Sequence, residues 1–410
     1  MKKIFALSVL GMAAVTCSAQ SSVTLYGIVD AGVSRVSGIR GGTVSQLVSG
    51  IMEGSRIGFR GNEDLGGGYR AIFTLENRLE LDTGAITNRP ISGAQLPDRV
   101  SQATLLGLPA ALQPVVSAVA GNIGGTLGVN LAGAFFDRQA YVGLVTPFGA
   151  VLAGRQYTPA YEVSAAFDTL GTQSALAFGQ VASIPAAVDI RVSNALVYRI
   201  QQGGFSAAAM AAAGEGSAST GRLLGAMAMY KAPSFSVGLG YNSRKNERGT
   251  KSLTSTVLGA SVNVGPGTLF AEMIKIKDDN PSGLGGIAAS VTASVGAANA
   301  ALIQGAFMNG FKQDARAMHI GYRMNLGVHT IYTAYSKFDD KRAINADTSS
   351  YGLTYSYALS KRTDINAVGV RFVNSSLAQA APGNAGYLGG VTRAAGVDAT
   401  GLSLGLRHRF

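Results

Sequence analysis

SRIGFRGNEDLGGGYRAIFTLE, residues 55–76, reads as two short strands joined by a glycine-rich turn. On the first strand Ile57 and Phe59 alternate with Arg56, Gly58 and Arg60. On the second, Ala71, Phe73 and Leu75 alternate with Arg70, Thr74 and Glu76. A period of two puts apolar side chains on one face and polar ones on the other. The turn holds Asn62, Asp64 and three glycines, residues that tolerate positive φ and reverse the chain quickly. In a soluble sheet the apolar face would meet a core. Here the rest of the chain says that it meets lipid, with the charged face lining water.

The first residues indicate the compartment. Met1-Lys2-Lys3 is basic, residues 4–15 are apolar, and Cys17-Ser18-Ala19 ends the stretch with small residues. This is the pattern of a secretory signal peptide, too short to span a bilayer, cut after Ala19. Two rivals are a buried helix and a lipoprotein leader lipidated on Cys17, although Thr16 is a poor residue before a lipidated cysteine. The organisation expected is a signal peptide over residues 1–19 and one barrel domain over residues 20–410.

Removing the leader takes away the only cysteine, so the mature chain has no disulfide and no thiol. It also removes two lysines and no acid, lowering the formal charge from +11 to +9. An exported chain rarely meets nucleic acid, and no Lys/Arg run exceeds two residues. The charge is therefore read as a field inside a cavity or at a surface.

Mean hydropathy is positive, +0.22, yet the mature chain has no run of 18 or more apolar residues. Its apolar residues must be spread at alternate positions. One architecture crosses a bilayer that way: a closed β-barrel, which pairs every backbone group without a long apolar helix.

Strands are expected over residues 22–34, in the hairpin above, and over 135–144, 150–156, 191–199, 205–213, 222–231, 235–243, 252–264, 268–277, 315–325, 328–337, 349–357, 363–372 and 401–410. That is an all-β, sixteen-stranded antiparallel transmembrane β-barrel, wide enough for an aqueous channel. Alternation is clear in Phe235, Val237, Leu239 and Tyr241 against Ser236, Gly238, Gly240 and Asn242. Short turns alternate with long loops, matching periplasmic turns and extracellular loops. Residues 37–53 read as a loop, and residues 157–189 as a long loop of the kind that is usually functional. Residues 82–134 lack alternation. With Pro109 and Pro114 in their apolar part, they read as an irregular extracellular loop with short helical turns and no long helix. Residues 278–313 are another long, Ala- and Gly-rich excursion. Tyr26, Tyr141, Tyr230, Tyr322, Tyr332 and Phe410, near strand ends, are candidates for interfacial girdles.

The segments SSVTLYGIVD, SRIGFRGNEDLGGGYRAIFTLE, FDRQAYVGL, FGAVLAGRQYTP, YALSKRTD and the terminal GLRHRF closely resemble the trimeric general porins of beta-proteobacterial outer membranes. The resemblance runs from the first strand to the last. It implies an outer-membrane homotrimer, passive diffusion of small hydrophilic solutes, and an inward-folded third loop, here residues 157–189. Phe410 matches the terminal aromatic that the outer-membrane assembly machinery reads. Outer-membrane lipid and lipopolysaccharide are the other implied partners; no nucleic acid and no cofactor is implied. The long second loop (82–134) and the apolar part of 278–313 depart from the family pattern.

A porin needs a constriction whose field sorts solutes, and basic wall residues facing an inward loop attract anions. Arg56 and Arg60 lie on the polar face of one strand and Arg70 on that of the next; Arg191 shares a face with Ser193. By position in the family motifs, Arg56 and Arg138 resemble wall arginines near the narrowing. The parity of Arg138 groups it with Ala140, Val142 and Leu144, so it would need a bulge near the rim. Arg155 sits at the base of the inward loop, and Glu162 and Asp168 are candidates to pair with wall arginines. Each could instead be a solvated rim charge or an exposed loop acid.

Two other functions compete. A hydrolase would need a nucleophile and a base, but His319, His329 and His408 show no serine or acid constellation in sequence. No Cys/His metal spacing exists, and GNEDLGGG lacks the Lys-Ser/Thr of a phosphate loop. A surface adhesin using the barrel as an anchor would suit the long second and sixth loops. For the leader, N-terminal sequencing of protein extracted from outer membranes should begin Gln20-Ser21-Ser22. A start at Met1, or lipid on Cys17, would overturn the cleavage expected here.

Overall fold

A computed structural model describes residues 21–86, 96–126, 134–182, 189–214, 222–383 and 390–410. The expected leader and its cleavage site lie outside the described residues. The strands are β1 (Ser22–Ile39), β2 (Gly42–Ser49), β3 (Arg56–Gly66), β4 (Tyr69–Arg78), β5 (Gln139–Thr146), β6 (Gly149–Tyr157), β7 (Arg191–Gln202), β8 (Phe205–Ala212), β9 (Leu223–Lys231) and β10 (Phe235–Lys245). They continue as β11 (Lys251–Val264), β12 (Gly267–Asp278), β13 (Gln313–Leu326), β14 (His329–Asp340), β15 (Thr348–Ala358), β16 (Thr363–Asn374), β17 (Ala380–Ala381), β18 (Gly390–Val391) and β19 (Ala399–Arg409). The helices are α1 (Gln113–Thr126), α2 (Pro159–Phe167), α3 (Gly179–Ala182) and α4 (Ile287–Gly310).

From β3 to β16 each strand pairs antiparallel with the next, β16 pairs with β19, and β19 closes on β1 from Ile28↔Arg409 to Ser37↔Thr400. One half of β1 pairs with β3, from Ser22↔Asn62 to Ile28↔Arg56, and the other half with β2, from Ala31↔Ser49 to Ile39↔Gly42. β2 and β3 thus share one position in the ring. Seventeen strands fill sixteen places, and the barrel has the expected count.

Alternation along each strand sets its two faces. On β19, Leu402, Leu404 and Leu406 are 57%, 58% and 49% exposed, while Gly401, Gly405 and Arg407, of the opposite parity, are buried. The turns at residues 67–68, 147–148, 203–204, 232–234, 265–266, 327–328 and 359–362 are short and share one end with Ser22 and Phe410. The long connections occupy the other end.

Several expectations change. Residues 42–49 form a strand, not a loop, because they extend the β1 ladder. β5 begins at Gln139, not Phe135. The long second loop contains α1, of 14 residues, and the sixth contains α4, of 24 residues bent at Gly296 (φ 76). Pro114 is tolerated because it lies in the first turn of α1, where its missing N–H has no intrahelical partner to lose. Neither α1, short and rich in Val and Gly, nor α4, broken at Gly296, would be stable alone. They hold by burying Val116, Val119 and Ala120 of α1 with Ile287, Ile303 and Phe307 of α4 in one apolar cluster. Of the girdle candidates, Tyr230, Tyr322 and Phe410 face outward, whereas Tyr26, Tyr141 and Tyr332 share parity with inward residues. The inner face is also less uniformly wet than its pattern suggested: Val257, Ile274 and Phe372 are inward, buried and packed in a core shared with the loops.

Phe410 closes the ring. Its N–H donates to the Gly27 carbonyl and its carbonyl accepts from the Gly27 N–H, both at 3.1 Å. Its ring lies where a Gly27 side chain would be: a Cβ there would sit 2.4 Å from Phe410 Cζ and 2.7 Å from the Arg56 carbonyl oxygen. The Gly27→Ala variant should therefore lose about 1–3 kcal/mol, read as a lower midpoint of heat unfolding in detergent. An unchanged midpoint would show that the seam is not tightly packed.

Candidate functional site

The β6–β7 connection turns into the barrel because its first helix fits a floor of glycines. Thr158 caps α2, its hydroxyl accepting from the Tyr161 N–H at 3.4 Å, and Pro159 opens the helix. α2 lies on β10 and β11 where a Cβ on Gly259 would come within 2.2 Å of Phe167, and one on Gly240 within 2.9 Å of Ala160 Cα. Asn242 fastens the helix start: its Oδ1 accepts from Ala160 N–H at 3.2 Å and its Nδ2 donates to Thr158 Oγ1 at 2.8 Å.

The loop then runs along the same side of the wall to β13. Thr169 N–H donates to His319 Nε2 at 3.1 Å, and His319 Nδ1 lies 2.9 Å from Ser336 Oγ. Gln173 accepts from Gly54 N–H at 3.3 Å, and Gln180 from Gly383 N–H at 3.0 Å. The described part of residues 157–189 is thus tied to β10, to β13 and to two other loops.

Arginines gather beside the start of this loop. Arg138, only 1% exposed, donates from Nε to Glu76 Oε1 at 2.7 Å and from Nη2 to Tyr157 Oη at 3.0 Å. Glu76 Oε2 accepts from Tyr26 Oη at 3.0 Å, and the Arg60 guanidinium stands 4.0 Å over the Tyr26 ring. Arg191 donates to Tyr157 Oη at 3.1 Å and lies 4.7 Å over its ring; Tyr157 in turn stacks on Tyr161 at 5.0 Å. Arg155 donates to the Asp137 carbonyl at 2.5 Å and to Ser193 Oγ at 3.1 Å. Arg56 donates to the Gly54 carbonyl at 3.0 Å and to Glu53 at 3.4 Å. Across the β3–β4 ladder it is paired with Arg78, while Gly58 faces Glu76. Nε and Nη1 of Arg191 are buried and have no hydrogen-bond partner among the described residues.

Arg56, Arg60, Arg138, Arg155 and Arg191 therefore surround Glu76 and Tyr157. Arg138 gets there without a bulge: it lies in a bend ahead of β5, where strand parity does not apply. Arg70 is not part of the group. It is six residues from Glu76 toward the short-turn end, about 20 Å along the strand. Glu162 does pair with a wall arginine, Arg199, at 2.6 Å. Asp168 does not. Its oxygens accept from the N–H groups of Leu170, Thr172 and Phe178 at 2.8–3.0 Å, so it folds its own loop. Sequence reasoning missed Tyr26, Glu76 and Tyr157 as members of the site, although Tyr26 and Glu76 already stood on the polar faces of strands two places apart. Arg199 and the Arg244–Asp189 pair (2.9 Å) were missed as well.

Ser336, His319 and Asp168 also fall into a row, with Asp168 Oδ1 3.9 Å from His319 Nε2. Nothing in the spacing of these residues along the chain hints at the row. A backbone N–H donates to Nε2, which leaves the proton of the neutral ring on Nδ1, pointing at Ser336. A serine facing an N–H is not activated, and Ser336 is 0% exposed. The row is a latch for the loop.

A sixteen-place barrel with an apolar exterior and a charged, loop-narrowed interior defines a membrane channel. More particularly, the chain belongs to the Gram-negative porin family, whose sequence profile matches residues 6–377. It is a passive channel and a multi-pass β-barrel of the outer membrane. It is 29% identical to outer membrane porin protein 32 of Delftia acidovorans over 100% of this chain and 99% of that protein. A segment of 86 residues, 20% of this chain and 25% of the relative, is 40% identical to major outer membrane protein P.IB of Neisseria meningitidis. The solved anion-selective porin from Comamonas acidovorans superposes with a TM-score of 0.69 at 25% identity, over 95% of this chain and 100% of that one.

Because α2 rests on bare glycine, Gly259→Leu should push Phe167 off the wall. Single-channel recordings of this variant are expected to show altered conductance and increased open-channel noise. Traces indistinguishable from the parent would mean that the glycine floor does not hold the loop.

Proposed function

We propose that the channel passes small hydrophilic solutes and ions with a preference for anions, and that the arginines around Tyr157 set this preference. The observation that carries the reading is the excess of cations beside the inward loop: five arginines meet there, and Glu76 engages Arg138 directly. Low-dielectric walls focus such a field into the lumen. Arg60, exposed over Tyr26, is the group best placed to meet a passing anion, and Arg191, half-buried against Tyr157, adds its charge to the field. Arg138 and Glu76 are locked together and position Tyr157 between the arginines. The similar solved structure from Comamonas acidovorans is that of an anion-selective porin, which supports the same reading.

The protein works as a homotrimer in this reading, supported by the resemblance of its motifs to trimeric general porins. It is cut after Ala19, is folded by the outer-membrane assembly machinery through Phe410, and is surrounded by outer-membrane lipid and lipopolysaccharide. It carries no catalysis: His319 serves the loop latch, while His329 and His408 are hydrogen-bonded to Tyr355 and Thr363.

The test is electrical. In a planar bilayer the wild type should open in ohmic steps, and its reversal potential in a salt gradient should show anion preference. That preference should weaken between about 0.1 M and 1 M salt, as the Debye length falls from about 10 Å to about 3 Å. The Arg60→Ser/Arg191→Ser variant should shift the reversal potential toward cations. A cation-selective wild type, or a variant with unchanged potential, would contradict the assignment.

A further inference from the structure

The outer face of β10–β14 carries cations where the apolar belt should be giving way to headgroups. Tyr241, Thr256, Lys275 and Arg316 are direct cross-strand neighbours in one outward row. Next to the row, toward the long loops, lie Lys251, Lys277 and Lys341, and together these residues line a depression of about 900 Å³. Its two carboxylates, Asp279 and Asp314, both hold Lys277, at 3.2 and 2.9 Å, and Lys341 is paired with Asp339. Lys251, Lys275 and Arg316 are exposed and have no ion pair among the described residues.

The surface changes character one step along the same strands. The neighbouring row is Leu258, Met273 and Met318, all exposed, and the row after it leads through Ala271 and Ile320 to Tyr335 and Tyr351. A shallow groove of about 560 Å³ runs there between Leu269, Ile320, Tyr322, Tyr335 and Tyr351. Two residues of a strand span about 7 Å, so the cationic row lies that far from the apolar one. The basic depression is at the end of the long loops, opposite the chain termini.

We propose that this face binds a diphosphorylated glycolipid of the outer leaflet, the lipid A part of lipopolysaccharide. Its phosphates would sit on Lys251, Lys275 and Arg316 and its acyl chains along Leu258, Met273, Ile320 and Tyr335. The chemistry is complementary at both ends. A guanidinium takes a phosphate through two parallel hydrogen bonds and an ammonium adds a point charge. Unpaired cations beside lipid are costly without an anion, and the anion must be attached to something apolar to lie against the groove. The site deepens the reading that lipopolysaccharide surrounds the barrel and rests on it.

The experiment is native mass spectrometry of the full-length mature protein in detergent with diphosphoryl lipid A. The wild type should retain the lipid, and fully dephosphorylated lipid A should be retained at least about tenfold less. The Lys251→Gln/Lys275→Gln/Arg316→Gln variant should lose at least about tenfold in the same assay, with its single-channel conductance intact. Lys361→Gln, which removes a cation from a short turn at the opposite end, should bind as the wild type does. Should the triple variant fail to fold, Thr256→Glu places a carboxylate in the same row and should weaken retention likewise. Equal retention by wild type and folded variants would place lipid A elsewhere and overturn this site alone. No retention by the wild type would overturn both the site and the reading beneath it. Displacement of the lipid by inorganic phosphate at equal concentration would overturn the lipid as the source of the phosphate.

Discussion

At membrane depth every backbone N–H and C=O must find a partner within the protein, since hydrocarbon offers none and each orphan costs several kcal/mol. A ring of strands meets this only if its last strand pairs with its first. The ladder between β19 and β1 does so, and it is finished by the reciprocal bonds of Phe410 and Gly27. Gly27 has no side chain because the terminal ring occupies that space. Once the ring is closed, the period-two pattern leaves Leu402, Leu404 and Leu406 no place but the lipid side.

Closure creates an interior that must then be shaped. Asp30, inward on β1, draws the connection after β2 into the lumen by accepting from the N–H groups of Ile51, Met52 and Glu53 at 2.8–2.9 Å. Glu53 is thereby placed between Arg407 and Arg409, which also share Asp364. The β6–β7 loop is set in the same manner, by shape at the glycines of β10 and β11 and by hydrogen bonds at Asn242 and His319. What remains open beside Tyr157 is dominated by guanidinium groups. Pore geometry and pore charge thus follow from a few inward residues on an otherwise regular wall.

Most of the barrel was legible because alternation is a local property. Phe235–Tyr241 and Leu402–Leu406 announce their faces without reference to any other strand. The inward sets of Arg56, Arg60 and Arg191 were legible for the same reason. What could not be read depends on contacts between distant segments. Residues 42–49 look like a loop until β1 offers them an edge. α1 and α4 each lack the strength to be predicted alone and exist by packing on one another. Asp168 looks like a partner for an arginine, but its own loop supplies nearer amides. Arg138 has the wrong parity for a strand and the right position in a bend. Tyr26 lies near a strand end, as a girdle residue would, yet the polar face it belongs to carries it to Glu76.

Each strand of the barrel has two faces that meet different solvents. Cys17 is the only cysteine of the sequence, so in a Cys17→Ser background single cysteines can be placed in turn along residues 400–407 and spin-labelled in a lipid bilayer. Collision with dissolved oxygen, which concentrates in lipid, should peak at 402, 404 and 406 and fall at 401, 403, 405 and 407. An oxygen profile with a period near 3.6 residues, or one that is flat and water-accessible throughout, would contradict a membrane-spanning barrel strand.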